Sequence, residues 1–446
     1  QTVDAGGGDD GIVSGAGADT IEGGAGQDIV TVSDSFTIDK LSFADGEWTL
    51  TTADGVDTLT GVEAVQFDDA LVWLADGAVR TAQDAVADAG VGDTVLMASG
   101  VHTGTLTIDK SLTLLGYGDE ATILTGPGNA GYGITVAADD VTVRGIAATG
   151  YNRGMFVDTA IEDLVLDGVS FSGSGGGVVN TSPAGLWVTG NGGIDGLTVT
   201  DSHFDDNPFG WYIEASVGGP TVTGVNVSNS TFNGNAAKGI YAEKLNDAIF
   251  DNIQVVNSGN LETTATFLSG VLGGIDINLK YGDYENITIQ NSLFEDSGRF
   301  FDLRNGVNYT AALAIKARDD GATYGPNPAT LDGVTITGNS FVNTGSYATR
   351  TELGIRVGET GQTNLGPENV VVTGNTFTDI DVIFADATQQ DLLLDAILAA
   401  NTVIGSDSAV IASDLADDII VGSDVANDIS GGTGDDLLVG GGGDDV

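Results

Sequence analysis

With 446 residues the chain can bury a sizeable core, and 64 acidic against 14 basic residues give it a formal charge of −50. So acidic a chain has no basic face to displace counterions from phosphates, which excludes nucleic acid as a partner and disfavours anionic membrane surfaces. Its 41% hydrophobic content argues against disorder, and it has no cysteine for a disulfide framework. No apolar run approaches the roughly 20 residues needed to span a bilayer.

The chain opens in a nine-residue rhythm: AGGGDDGIV from Ala5, SGAGADTIE from Ser14 and GGAGQDIVT from Gly23. Gly6, Gly15 and Gly24 share one column, and Gly8, Gly17 and Gly26 another. Asp10, Asp19 and Asp28 form a third column, and Ile12, Ile21 and Val30 a fourth. The frame returns as GGTGDDLLV from Gly431 and GGGGDDV from Gly440. It places Asp418, Asn427, Asp436 and Asp445 in the acidic column and Ile411, Ile420, Ile429 and Leu438 in the apolar one. Glycines permit the tight turns of a flattened coil, one aliphatic residue per unit packs inward, and each turn aims carbonyls and one carboxylate at a hard cation. Such an oxygen set suits Ca²⁺.

This pattern, G-G-x-G-x-D-x-U-x, resembles the repeat-in-toxin (RTX) calcium-binding repeats. The resemblance implies a parallel β-roll that folds around Ca²⁺. Asp10, Asp19, Asp28, Asp418, Asp436 and Asp445 would be the ligand carboxylates. It also implies a place outside a bacterial cell or at its surface, reached without an N-terminal signal peptide. Gln1 stands inside a repeat and the chain ends in one, so a longer polypeptide carrying the export signal elsewhere is expected.

Residues 32–80 alternate apolar and polar residues between turn signals (ADGEW, ADGVD), which predicts a short antiparallel meander acting as scaffold. Thr81 to Gly90 carries a helix signature, with Thr81 as N-cap, Asp84 at N3 and a stripe of Ala82, Ala85, Val86 and Ala89. Short strands punctuated by glycine follow. A helix in front of such strands covers the open end of a β-helix and blunts its edge. This entry resembles the pectin-lyase-like superfamily of right-handed parallel β-helices.

Two phrases then recur in order. The first is GITV, GMFV, GLWV, GWYI, GIYA, GIDI and GIRV, with ALAI from Ala312 in the same slot. The second ends at Phe204, Phe232, Phe294, Phe341 and Phe377, as in VTDSHF and ITGNSF. A β-sandwich has short strands but would not repeat two ordered phrases. Inward Ile, Val and Phe form a continuous core, and Asn and Ser at the bends hydrogen-bond between coils. The expected architecture is therefore all-β: a right-handed parallel β-helix over 81–400, flanked by calcium-binding roll repeats at 1–31 and 401–446. Asp386 to Asn401 is expected to be a helix or final cover. His102 and His203, in separate coils, are expected to be solvated surface side chains.

Aligning the glycine phrases stacks successive coils about 4.8 Å apart. Two positions after the glycine, the outward column is Thr135, Phe156, Trp187, Tyr212, Tyr241, Asp276, Ala314 and Arg356. Four positions after, it is Ala137, Asp158, Thr189, Glu214, Glu243, Asn278, Lys316 and Gly358. Seven of the 14 basic residues fall between Lys238 and Arg318. One interpretation is a groove for an extracellular polysaccharide, with Trp187, Tyr212, Tyr241, Lys244 and Arg356 on the sugar. Glu214 and Glu243 could then act as a glycosidase pair. Alternatively Glu214, Glu243 and Asn278 could hold Ca²⁺, with Lys280, Lys316 and Arg318 moving protons in β-elimination or epimerisation. That residue set is similar to the chondroitinase-B and alginate-lyase β-helix families, although the order here is Glu, Glu, Asn rather than Asn first. The Asp-Pro-His motif of alginate epimerases and the Gly-His-Gly motif of polygalacturonases are absent. The other interpretation is structural: outward aromatic and charged ladders suit a pleated surface without chemistry, as in a self-assembling surface-layer, sheath or adhesin protein.

Overall fold

The computed structural model describes residues 1–177, 182–259, 272–298, 311–344, 353–358, 366–380, 382–387 and 401–404, with 410–412, 419–421, 428–430 and 437–440. Among these, three parallel sheets wind together as a parallel β-helix. One has 14 strands, from Gly11–Val13 to Glu368–Thr373, parallel except where Ala64–Gln66 meets Leu71–Ala75. A second has 12 strands, of which Leu106–Ile108 to Val382–Ala387 are parallel. The third is split into a three-stranded and a five-stranded part, joined by bridges running Ala147–Ser170–His203–Thr231–Gln254.

The opening repeats form a flattened roll. Gly11 pairs with Ile29 and Thr2 with Thr20, so one turn is two nonapeptides. Ile12, Ile21 and Val30 are buried between the strands. Positive φ calls for glycine at Gly6, Gly8 and Gly17, and close approach adds to it in the third unit, where a Cβ on Gly24 would lie 1.9 Å from the Gly6 carbonyl oxygen at a φ of +106°. The closing repeats keep the same two-unit step, with Val410 paired to Asp428 and Ile420 to Leu438.

The meander forms as antiparallel pairs of Leu41–Ala44, Glu47–Thr52 and Gly55–Thr60, then Ala64–Gln66 with Leu71–Ala75. It also joins its neighbours, because Thr20–Glu22 pairs with Gly55–Thr60 and Leu71–Ala75 pairs with Thr94–Met97. The 14-stranded sheet thus runs from roll to helix without a break. The α-helix α1, Ala82–Asp88, closes with a capping box. Thr81 Oγ1 accepts from the Asp84 N–H at 3.1 Å, and Asp84 Oδ2 accepts from the Thr81 N–H at 3.2 Å. Its buried face of Ala82, Ala85 and Val86 covers the first coils.

Inside the coils, Phe204 stacks on Phe232 with centroids 5.3 Å apart, and Phe294, Phe341 and Phe377 stack at 4.7 and 4.9 Å. The bends carry ladders. The N–H of Ser292 donates to Asn339 Oδ1, that of Asn339 to Asn375 Oδ1, and that of Asn375 to Asn401 Oδ1, each at 2.9 Å. A second ladder runs Ser174, Asn207, Asn235, Ser258 and Ser297.

Two expectations are corrected. His102 is not solvated: strand alternation leaves Val101 63% exposed and turns His102 inward at 2%, with Nε2 2.8 Å from the Ala98 carbonyl. Asp386 and Ala387 belong to the strand Val382–Ala387, not to a helix, while 388–400 lies outside the described residues.

Candidate functional site

The outer face of the 12-stranded sheet brings the sequence columns together. Register pairs Thr135 with Phe156, Phe156 with Trp187, Trp187 with Tyr212, Tyr212 with Tyr241, Tyr241 with Asp276, Asp276 with Ala314 and Ala314 with Arg356. The glycine of each phrase recurs because the next coil presses on it. A Cβ on Gly210 would lie 2.3 Å from the Gly239 carbonyl oxygen, and one on Gly274 2.3 Å from that of Ala312.

Phe156, Trp187, Tyr212 and Tyr241 are half-buried, one per coil. Trp187, Tyr212 and Tyr241 lean on a small apolar patch of Ala184, Phe209 and Ala237. The residue before each phrase glycine adds a third column that sequence reasoning missed: Tyr132, Arg153, Ala184, Phe209 and Lys238. Tyr132 stacks on Phe156 at 4.0 Å, and the Arg153 guanidinium lies 3.7 Å from the centre of the Trp187 ring. The signal was present, as this position holds aromatic or cationic residues in four of these five coils.

Below the aromatic row lies a polar network. Glu243 Oε1 accepts from the Tyr241 hydroxyl at 2.7 Å and from the Lys280 ammonium, and Oε2 accepts from the Ala215 N–H at 3.0 Å. Asn278 Nδ2 donates to the Tyr241 oxygen at 2.9 Å, leaving Asn278 Oδ1 buried and without a hydrogen-bond partner. Glu214 follows Ile213 and Glu243 follows Ala242, and Ile213 pairs with Ala242, so the two carboxylates belong to adjacent coils at one level. Burial raises the Glu214 pKa, and the charge of Glu243 raises it further.

A second cluster surrounds Asp276, with the Lys238 ammonium on Oδ2 and that of Lys316 3.4 Å from Oδ1. Lys238, Asp276, Lys316 and Arg356 are all under 7% exposed. Burial brings Lys238 down to about 8 despite the neighbouring carboxylate. Burial would raise Asp276, but Lys238, Lys316 and Arg356 hold it well below the usual carboxylate range.

Several assigned roles change. Lys280 lacks the depressed pKa of a base: burial would lower it, but the Glu243 carboxylate outweighs burial and raises it. Lys316 lies in the Asp276 cluster, and Arg318 forks onto Asp320 at 2.5 and 2.9 Å with its guanidinium 4.4 Å from the Tyr324 ring centre. Lys244 and Arg356 are buried rather than presented to solvent; Lys244 donates to the Thr189 carbonyl at 2.8 Å and to that of Gly192. Burial takes Lys244 down to about 8. On Glu243, protein donors take two positions on Oε1 and one on Oε2, which leaves one lone pair of Oε2 open to a further partner.

The roll also carries unpartnered carboxylate oxygens. Asp10, Asp19 and Asp28 each keep a buried Oδ2 with no hydrogen-bond partner, while Oδ1 of Asp28 and of Asp19 accept from Asp10 N–H and the Gln1 amino group. Among the described residues no three carboxylate or imidazole side chains converge, so a cation there would need backbone carbonyls as well. Asp418, Asp436 and Asp445 lie outside the described residues.

The chain matches no protein-family model and no curated protein. Among solved structures it is similar to ORF18 of Geobacillus virus E2, at 15% identity and a TM-score of 0.41, covering 74% of this chain. It spans 57% of that viral protein's length. It is also similar to an alginate lyase from Paenibacillus sp. str. FPU-7, at 15% identity, TM-score 0.29, covering 84% of this chain and 99% of the lyase. Pectate lyase Pel9A gives 13% identity, TM-score 0.32, and coverage of 60% and 77%. These are likenesses of winding alone. No helix among the described residues is long and apolar enough to cross a membrane.

Proposed function

We propose that this chain is a calcium-holding β-helix protein of the bacterial cell exterior that binds an acidic polysaccharide along the outer face of its 12-stranded sheet. The observation that carries this is the half-buried aromatic row Phe156, Trp187, Tyr212 and Tyr241, beside which Glu214 and Glu243 stand two residues after Tyr212 and Tyr241, with Lys280 on Glu243. Rings at one-strand intervals offer apolar faces to successive sugars, and Arg153 beside Trp187 supplies a cation for an acidic substituent. Asp10, Asp19 and Asp28 would hold Ca²⁺ in the roll, where it would offset carboxylate repulsion and fix the turns.

The test is affinity electrophoresis through gels containing alginate, pectate or chondroitin sulfate. Retardation by at least one polymer, weakened about tenfold or more in Trp187→Ala, is expected. Free migration in all three removes the binding proposal. One observation favours a noncatalytic surface protein instead: the 14-stranded sheet continues from the roll into the helix, as suits a stiff rod. That reading expects calcium-driven arrays in electron micrographs, unaffected by Glu243→Gln. A monomer at every millimolar calcium concentration would exclude it.

A further inference from the structure

Glu214 and Glu243 occupy equivalent positions on adjacent coils, each following a residue paired in register, Ile213 and Ala242. Backbones of adjacent coils are about 4.8 Å apart, and a retaining glycosidase needs its two carboxyl groups roughly 5–5.5 Å apart. Their surroundings divide them. Glu243 is 8% exposed, paired with Lys280 and bonded by the Tyr241 hydroxyl and the Ala215 N–H, an environment made for an anion. Glu214 is less deeply buried and stands beside the aromatic row, two residues after Tyr212 on the same coil. Beside them Asn278, 5% exposed, keeps Oδ1 without a partner, an acceptor suited to a hydroxyl of a bound sugar.

We infer that Glu214 and Glu243 hydrolyse a glycosidic bond in the polysaccharide held on the aromatic row, Glu214 as proton donor and Glu243 as nucleophile. This rests on the binding proposal above and adds the reaction to it. In the first half, an oxygen of Glu243 attacks the anomeric carbon as the carbon–oxygen bond to the leaving sugar breaks. The Glu214 proton moves to that departing oxygen, leaving a glycosyl ester and a Glu214 carboxylate. In the second half, water attacks the same carbon and gives a proton to Glu214, and the ester bond breaks to restore the Glu243 carboxylate. The sum is one glycosidic bond and one water consumed, with configuration retained. The elevated proton affinity of Glu214, caused by burial and then by Glu243, agrees with the role of donor. Lys280 opposes charge loss at Glu243, and Lys244, held by two carbonyls, adds positive charge near both acids.

The experiment uses the full chain with alginate, pectate and chondroitin sulfate, reading reducing ends and the ultraviolet absorbance of unsaturated uronates together. Reducing ends without that absorbance are expected from whichever polymer is retarded in the gel. Glu214→Gln should still be retarded and should lose about 100-fold or more of the rate. Glu243→Gly should be inactive in water but form a glycosyl azide when azide is added, a product that separates a chemical role from misfolding. Retardation without reducing ends, or products that absorb, would overturn hydrolysis while leaving binding intact. Retardation by none of the three would remove binding and hydrolysis together.

Discussion

Asn339 holds three connections across the coils, and its replacement tests whether the bend ladders stabilise the helix. Its Oδ1 accepts from the Ser292 N–H, and its Nδ2 donates to the Ile289 carbonyl and to Asn375 Oδ1, all at 2.9 Å. Asn375 Oδ1 keeps the Asn339 N–H after truncation, so Asn339→Ala strands one buried N–H and one buried carbonyl. At about 1–3 kcal/mol each, the sum is about 2–6 kcal/mol. We expect about 3 kcal/mol, because a carbonyl retains a second lone pair. Serine should rescue much of this. Ser292 already fills the same rung, accepting from the Ile253 N–H at 3.1 Å and donating to the Gln290 carbonyl at 2.7 Å. Asn339→Ser therefore keeps a partner for the Ser292 N–H and loses the two Nδ2 contacts, of which only that to Ile289 leaves a group without a partner, costing about 1 kcal/mol. Coils of a solenoid can open locally, so the assay is amide exchange by mass spectrometry over peptides containing Ser292, with urea denaturation beside it. Equal losses for alanine and serine, or a loss under about 1 kcal/mol for alanine, would refute the ladder argument.

Four further outcomes follow from the same geometry. Burial raises the tyrosines Tyr117, Tyr151, Tyr212, Tyr241 and Tyr284, Tyr212 to about 12, so the stability they confer is present below pH 10 and lost as pH rises towards 12 and beyond. Tyrosinate absorbance of these residues should appear late and together with unfolding; early titration of all ten tyrosines would contradict it. Asp276→Asn leaves Lys238, Lys316 and Arg356 buried around a neutral group and should cost about 3 kcal/mol or more, whereas Lys238→Met leaves Asp276 two cations and should cost far less. Equal melting shifts for the two would show that the carboxylate is not the hub. Thr81→Ala removes half of the capping box and should cost about 1 kcal/mol, seen as faster exchange within Ala82–Asp88. Chelating calcium should speed exchange at Ile21 and Val30 and leave Phe204 and Phe232 protected; an unchanged roll would exclude a calcium role there.

Winding and register were legible because both are periodic. The glycine phrase marks a coil wherever the next coil touches it, and the column from Thr135 to Arg356 is the column that hydrogen-bonded register produces. The Phe204 and Phe341 phrases pointed correctly to interior stacks. Burial of the outward side was not legible, because it depends on what lies across the face. Hence the sequence columns place Arg356, Lys244 and Lys316 on an open face although each is 6% exposed or less. At His102 residue type and strand alternation point opposite ways, and alternation prevails, with Val101 outward and His102 inward. Lys238 precedes the phrase glycine, in a column of unlike residues that share a place against the aromatic row: Arg153 lies over Trp187, and Lys238 4.1 Å from the Tyr241 ring centre.

The placement of charge on this face bears on its purpose. A chain with 64 acids and 14 bases could leave its cations on the surface, where they would offset repulsion at little desolvation cost. Instead Lys238, Lys244, Lys316 and Arg356 are buried along one sheet, with Lys280 and Arg318 beside them. Buried ion pairs rarely exceed in stability the apolar side chains that could replace them. The same coils supply such apolar side chains in quantity on their inner side, with Ile240, Ile275, Ile315 and Ile355 fully buried. Stability alone therefore does not account for charges on the outer side of those strands. Two carboxylates on this face are each held as anions: Tyr241, Lys280 and the Ala215 N–H converge on Glu243 with Asn278 on the Tyr241 hydroxyl, while Lys238, Lys316 and Arg356 surround Asp276.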